Sequence, residues 1–129
     1  MPQGAVQNIV GASINALLNH TGFTIHAESG KPYTGRWWLV GGIIPSLVLT
    51  DKQSAQEYHD QIEEWYKGAR ALDGEDALVG GWTVDDTIYL DLVSLVKDDE
   101  VARLLGKLWD QIAIGRFNDD DQYDELSLV

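Results

Sequence analysis

The chain contains no cysteine, only 3 prolines and only 9 basic residues in 129. Without cysteine there is no disulfide framework, no thiolate zinc site and no cysteine nucleophile. No apolar run reaches the roughly 18 residues of a membrane helix, and the N-terminus lacks the basic-then-apolar order of a signal peptide. The expectation is a cytoplasmic protein away from membranes. The shortage of basic residues is met by 21 acidic ones, for a formal net charge of −12. That charge is uneven: Met1 to Arg70 holds 6 acidic and 5 basic residues, a net of −1, whereas Ala71 to Val129 holds 15 and 4, a net of −11. A surface of this sign repels phosphate backbones and anionic lipid, so neither nucleic acid nor membrane is an expected direct partner.

What is present is ordinary for a globular chain: 44% apolar residues, 23% charged and 9% aromatic. Length and composition predict one domain with one core. Val6, Ile9, Val10, Ile14, Leu17 and Leu18 recur at helical spacing, and Gly22 is placed to cap the helix they imply. Phe23, Ile25 and Ala27 alternate with polar residues and predict a strand. A turn over 28–32 and a second strand over 33–40 would complete a hairpin, with a third strand at 46–49. Thr50 and Gln53 have capping-box spacing ahead of an apolar face made by Ala55, Tyr58, Ile62, Trp65, Tyr66 and Ala69. A second hairpin follows over 77–83 and 87–93. Asp98 or Asp99 caps a third helix with the stripe Val101, Leu104, Leu105 and Leu108, and residues 111–117 form a last strand. The predicted class is α+β, an antiparallel-rich sheet of about six strands with helices packed mainly on one face. Residues 1–117 are the domain. Residues 118–129, with Asp119, Asp120, Asp121, Asp124 and Glu125 and no basic residue, read as a flexible acidic tail.

At the second hairpin a resemblance emerges. Gly80-Gly81-Trp82, Asp85-Asp86, Ile88-Tyr89-Leu90-Asp91 with Val93 and Val96, Asp98-Asp99, Ala102, Leu105-Gly106 and Gln111 to Ile114 resemble a group of small acidic proteins. Genes for that group are common in actinobacterial phages, prophages and mobile elements. Gly22-Phe23-Thr24-Ile25, the Gly30-Lys31-Pro32 turn and a helix opening near Thr50 extend the likeness over most of 22–115. It implies a fold and a genetic setting, and no active site.

Residues that could carry chemistry have plainer readings. His20, His26 and His59 lack metal-site spacing and read as a helix-end residue and two surface residues. Asp85 and Asp86 suit a tight turn, and Asp91, further up the strand, is the one carboxylate that could join them around a divalent cation. No nucleophile elbow or phosphate loop is present, so no cofactor or catalytic group is expected. Trp65 and Trp82 read as core residues. Of the neighbours Trp37 and Trp38, one must face away from the core unless something covers it; Trp38, on the same face as Arg36, has the composition of an interface hot spot unless the first helix or a neighbouring protomer covers it. Ser127-Leu128-Val129 has the form of a peptide that adds a strand to a PDZ-type domain, a short and common match.

The leading expectation is a non-catalytic interaction protein that binds a basic protein, such as a nucleic-acid-binding enzyme, and could inhibit it by mimicking nucleic acid. Its acidic face would comprise Asp85, Asp86, Asp98, Asp99, Glu100 and Asp110, with Arg36 and Trp38 as a second contact. The alternatives are a small enzyme or ligand-binding domain with a pocket between sheet and helices, and a structural homodimer joined through Trp37, Trp38 or an edge strand.

Overall fold

The computed structural model describes residues 2–73, 77–111, 113–117 and 123–128. The chain opens with helix α1 (Pro2–Asn19), which presents Ala5, Val6, Ile9, Ala16 and Leu17 to the core. It ends in a Schellman turn: the Thr21 N–H donates to the Ala16 carbonyl at 3.0 Å while His20 takes a left-handed φ of 53°. Gly22, expected as the cap, instead starts strand β1 (Gly22–His26), where a Cβ would stand 2.9 Å from the Gly81 carbonyl.

The remaining elements are β2 (Trp38–Val40), β3 (Leu47–Thr50), helix α2 (Ala55–Asp73), β4 (Leu78–Val84), β5 (Thr87–Val96), helix α3 (Asp99–Leu108), β6 (Ala113–Phe117) and β7 (Tyr123–Leu128). Every strand pairing is antiparallel, in the order β1-β4-β5-β2-β6-β7 with β3 also beside β5. The protein is thus an α+β fold, as its sequence predicts.

Strand β5 organises the molecule. Its ten residues span about 33 Å, with β4 along Thr87–Val93, β3 along Thr87–Leu90 and β2 along Ser94–Val96. Residues Asp91, Leu92 and Val93 pair with neither β2 nor β3. The expected hairpin between β1 and β2 does not form. Apart from a single bridge between Ile25 and Pro32, β1 pairs with β4 and β2 with β5 and β6. A turn signal at 28–32 shows only that the chain bends; β4 offers β1 five residues to pair with, and β5 offers β2 three.

Alternation along β5 assigns the two faces. Ile88, Leu90 and Leu92 enter the main core with Ile25, Leu49 and Val79, under α1 and the α2 residues Tyr58, Ile62, Tyr66 and Ala69. Trp38, Val40, Ile114 and Val96 form a smaller core with Ala102, Leu105 and Trp109. Leu39, Leu78 and Val93 lie on the opposite face with Tyr33, Leu95 and Phe117. Trp82 is on that opposite face and 53% exposed, so it is not a core residue. The inward neighbour is Gly81, where a side chain would run into the Phe23 ring.

Two helix starts differ in accuracy. Asp98 caps α3 as expected, accepting from the Val101 N–H at 2.9 Å. Helix α2 starts one turn after Thr50: Ser54 and Glu57 form the reciprocal box, each side chain accepting from the other's N–H at 3.2 Å. The α3 stripe is also corrected. Ala102, Leu105, Gly106 and Trp109 face the sheet, and Val101, Leu104 and Leu108 are 48%, 66% and 71% exposed. Finally, 123–128 is not a loose tail but strand β7, paired with β6 from Ala113↔Leu128 to Phe117↔Tyr123. Residues 118–122 and 129 of the expected tail lie outside the described residues.

Candidate functional site

Three chain turns meet at the end of the sheet where β5 begins. The β3–β5 register places Thr50 opposite Thr87, so the next residues out, Asp51 and Asp86, become neighbours. The Asp51 N–H donates to the Asp86 carbonyl at 2.9 Å, which fixes both residues to one rigid edge. Asp85, beside them in the two-residue β4–β5 turn, takes a left-handed φ of 53°. The C-terminal turn of α1 and the first turns of α2 close the space into an open cleft of about 440 Å³.

Its walls are mixed in a definite way. Ile14, Leu17 and Leu18 of α1, with Ala55 of α2, supply apolar surface; His20, Asp51, Gln53, Tyr58 and Asp86 supply polar groups. Asp51, Asp86 and His20 are exposed, whereas Tyr58 is buried. The Tyr58 hydroxyl donates to the Thr50 carbonyl. Burial, and then the Asp51 and Glu57 carboxylates, push its phenol above the ordinary tyrosine value. Tyr58 therefore stays neutral and structural at physiological pH. An apolar trough with carboxylates at its open lip suits a cation on an aliphatic stem, which buries its methylenes and leaves its charge at the acids.

The other expected site residues are dispersed. Asp98, Asp99 and Glu100 lie past the far end of β5, so roughly 30 Å of strand separates them from Asp85 and Asp86. Asp98 is committed to capping, and Asp99 accepts from Arg103 at 3.1 Å. Asp110 closes α3 as its left-handed cap, with φ 55° and the Gln111 N–H bonded to Gly106 at 2.7 Å. The acidic face expected from sequence is thus divided, with Asp85 and Asp86 before β5, Asp98 to Glu100 at the start of α3 and Asp110 beyond its end. Trp38 is covered by α3, with the Arg116 guanidinium 4.5 Å and the Arg103 guanidinium 6.0 Å from its ring, so it is not an exposed hot spot. Arg36 turns back to donate to the Thr34 carbonyl at 2.6 Å, and Trp37 is the exposed neighbour.

Asp91 lies far up β5 from Asp85 and Asp86, where it accepts from the Ser46 hydroxyl. Burial raises its pKa against the lowering effect of that hydrogen bond. Among the described residues no group of three or more His, Cys, Asp or Glu is placed to hold a metal ion. Nor is any helix among them long and apolar enough to cross a membrane. His26 lies 6.3 Å from the Tyr33 ring, and His59 Nδ1 is 3.6 Å from Asp60.

No protein-family model, no curated protein and no solved structure matches the chain. The arrangement of side chains is what bears on function. Asp51 and His20 are the cleft residues that sequence spacing missed. The proximity of Asp51 to Asp86 follows from β3 pairing with β5, and that of His20 from where α1 ends; no local motif announces either.

Proposed function

We propose that the protein is a non-catalytic interaction protein, cytoplasmic and of the phage or mobile-element type its sequence resembles, whose acid-lipped cleft takes a lysine or arginine side chain of a basic partner. The observation that carries the reading is the backbone bond that holds Asp51 and Asp86 together at the mouth of an apolar trough. Two carboxylates on backbones already joined meet an incoming cation without the entropy loss of bringing separate chain segments together. Lys52 is the cation next to them in sequence, and Asp85 keeps the balance at this edge negative. The net charge of −12 adds long-range steering toward basic surfaces. A nucleic-acid-binding enzyme remains one such partner. It would engage a compact acidic cluster rather than a ladder of phosphate-like charges, because Asp98 to Glu100 lie a strand's length away.

The test is calorimetric titration with a short lysine- and arginine-containing peptide. Asp51→Asn with Asp86→Asn is expected to weaken binding about tenfold or more, since hydrogen bonds to charged groups contribute about 1.5–3 kcal/mol each. Asp99→Asn with Asp110→Asn removes the same formal charge away from the cleft and is expected to leave binding within about threefold. Equal losses from the two pairs would reduce the cleft to a contributor of net charge and overturn the reading.

A further inference from the structure

Helix α3 carries two faces of opposite logic. The side against the sheet is built from Ala102, Leu105, Gly106 and Trp109, and it lets the helix sit close over Trp38. The outward side carries Val101, Leu104 and Leu108, all exposed, within about 60° of one another around the helix. An apolar stripe of this kind on a protein with net charge −12 is an energetic liability unless something covers it. Along one flank of the stripe lie Glu100 and Lys107, within about 20° of each other and two turns apart.

This pattern is self-complementary. Turned end for end about a two-fold axis near Leu104, α3 sets its own Leu104 against the partner's Leu104 and its Val101 near the partner's Leu108. The shared flank then brings Glu100 to the partner's Lys107, and Lys107 to the partner's Glu100. A two-fold interface requires one patch to match itself in this way. A parallel two-fold pair would instead set the Glu100 and Lys107 flank of one copy against the Val101 and Leu108 flank of the other, leaving the charges without partners. We infer that the outward face of α3 is an interface for a second copy of this chain, packed antiparallel, with Leu104 at its centre and the Glu100–Lys107 pairs at its rim.

The contact is small. A ten-residue helix is about 15 Å long, and one helix face offers less than the roughly 800 Å² per partner of a standard stable interface. The dimer is therefore weak and concentration-dependent. It is also independent of the cleft, whose lining includes no α3 residue.

Sedimentation equilibrium at about 0.15 M salt, where charges more than roughly 8 Å apart are screened, tests the inference across micromolar to millimolar protein. The wild-type mass is expected to rise from 14.3 kDa toward twice that value. Glu100→Lys or Lys107→Glu alone sets like charges together at both rim contacts and is expected to weaken dimerisation about tenfold. The double reversal restores the pairs and is expected to recover the wild-type constant. Circular dichroism confirms folding of each variant. The double reversal also makes the folding and docking effects separable: it places a cation at the start of α3 and an anion at its end, both against the helix dipole, so it recovers dimerisation while its helix is the least stable of the set. A monomer at every concentration overturns the inference. So does a dimer that ignores the single reversals, or one that the double reversal fails to restore.

Discussion

Helices α2 and α3 both carry an apolar stripe, and the two halves of the molecule use that stripe in opposite ways. In α2 the stripe is the buried face: Tyr58, Ile62, Tyr66 and Ala69 pack into the core between the sheet and α1. In α3 Val101, Leu104 and Leu108 face out, while the small residues Ala102 and Gly106 are buried between the half-buried Leu105 and Trp109. The difference lies in the strands beneath. Under α1 and α2 the sheet offers the aliphatic residues Ile88, Leu90 and Leu92, which need large side chains to fill the space above them. Under α3 it offers Trp38, whose ring already fills that space. Close packing therefore selects small residues where α3 lies directly over the ring, with Leu105 and Trp109 beside them, and leaves Val101, Leu104 and Leu108 exposed.

The contrast can be broken most sharply by truncation. Ile62→Ala is expected to cost about 2–5 kcal/mol in chemical denaturation, whereas Leu104→Ala, made on protein dilute enough to be monomeric, should change stability by no more than about 0.5 kcal/mol. Enlarging the small face should be costly where the large face is not: Ala102→Leu is expected to lose about 1–3 kcal/mol through a clash with the Trp38 core. A loss from Leu104→Ala comparable to that from Ile62→Ala would show that the α3 stripe is buried within one chain after all.

Smaller effects sharpen the same comparison at the helix ends. Both α1 and α3 stop on a non-glycine residue in the left-handed region, His20 in one half and Asp110 in the other. His20→Gly and Asp110→Gly should each raise the melting temperature, by an amount equivalent to about 0.5–1 kcal/mol. The Asp110 gain is expected to be the larger, because the substitution also removes an anion from the negative end of a helix dipole.

The least of the effects lies where the halves join, at Asp91. Burial raises the pKa of its carboxyl and the Ser46 hydroxyl opposes the shift, so the folded state keeps this proton to higher pH than the unfolded chain does. The stability from Asp91 is fully present below the ordinary carboxylate value of about 4, and it declines as pH rises from there to the raised folded value. Denaturation midpoints of Asp91→Asn across that window should lack the decline, so the variant gains on wild type as pH rises.

Much of the fold was legible in the sequence because its signals are local. The period of α1 and α2, the Asp98 cap and the tight turn at Asp85-Asp86 each depend on neighbours within a few residues. What was not legible depends on distant partners. The pairing of β2 with β5 rather than β1, and the meeting of Asp51 with Asp86, arise because β5 is long enough to serve strands from separate parts of the chain. The outward face of α3 was misread for the same reason: its buried side is decided by Trp38, some 60 residues earlier. The acidic segment at 123–128 was read from its charge alone, although β6 pairs with it through the backbone. Of the candidate site, Asp85 and Asp86 were found through composition, but the cleft beside them required the tertiary fold.

The most direct test of the account is the residue-by-residue shift of backbone amides when the short basic peptide is added to protein dilute enough to be monomeric. The account predicts saturable shifts at His20, Asp51, Gln53 and Asp86, with Asp99, Glu100 and Leu104 unmoved. Shifts centred on Asp98 to Glu100, or spread evenly over the acidic residues, would contradict it.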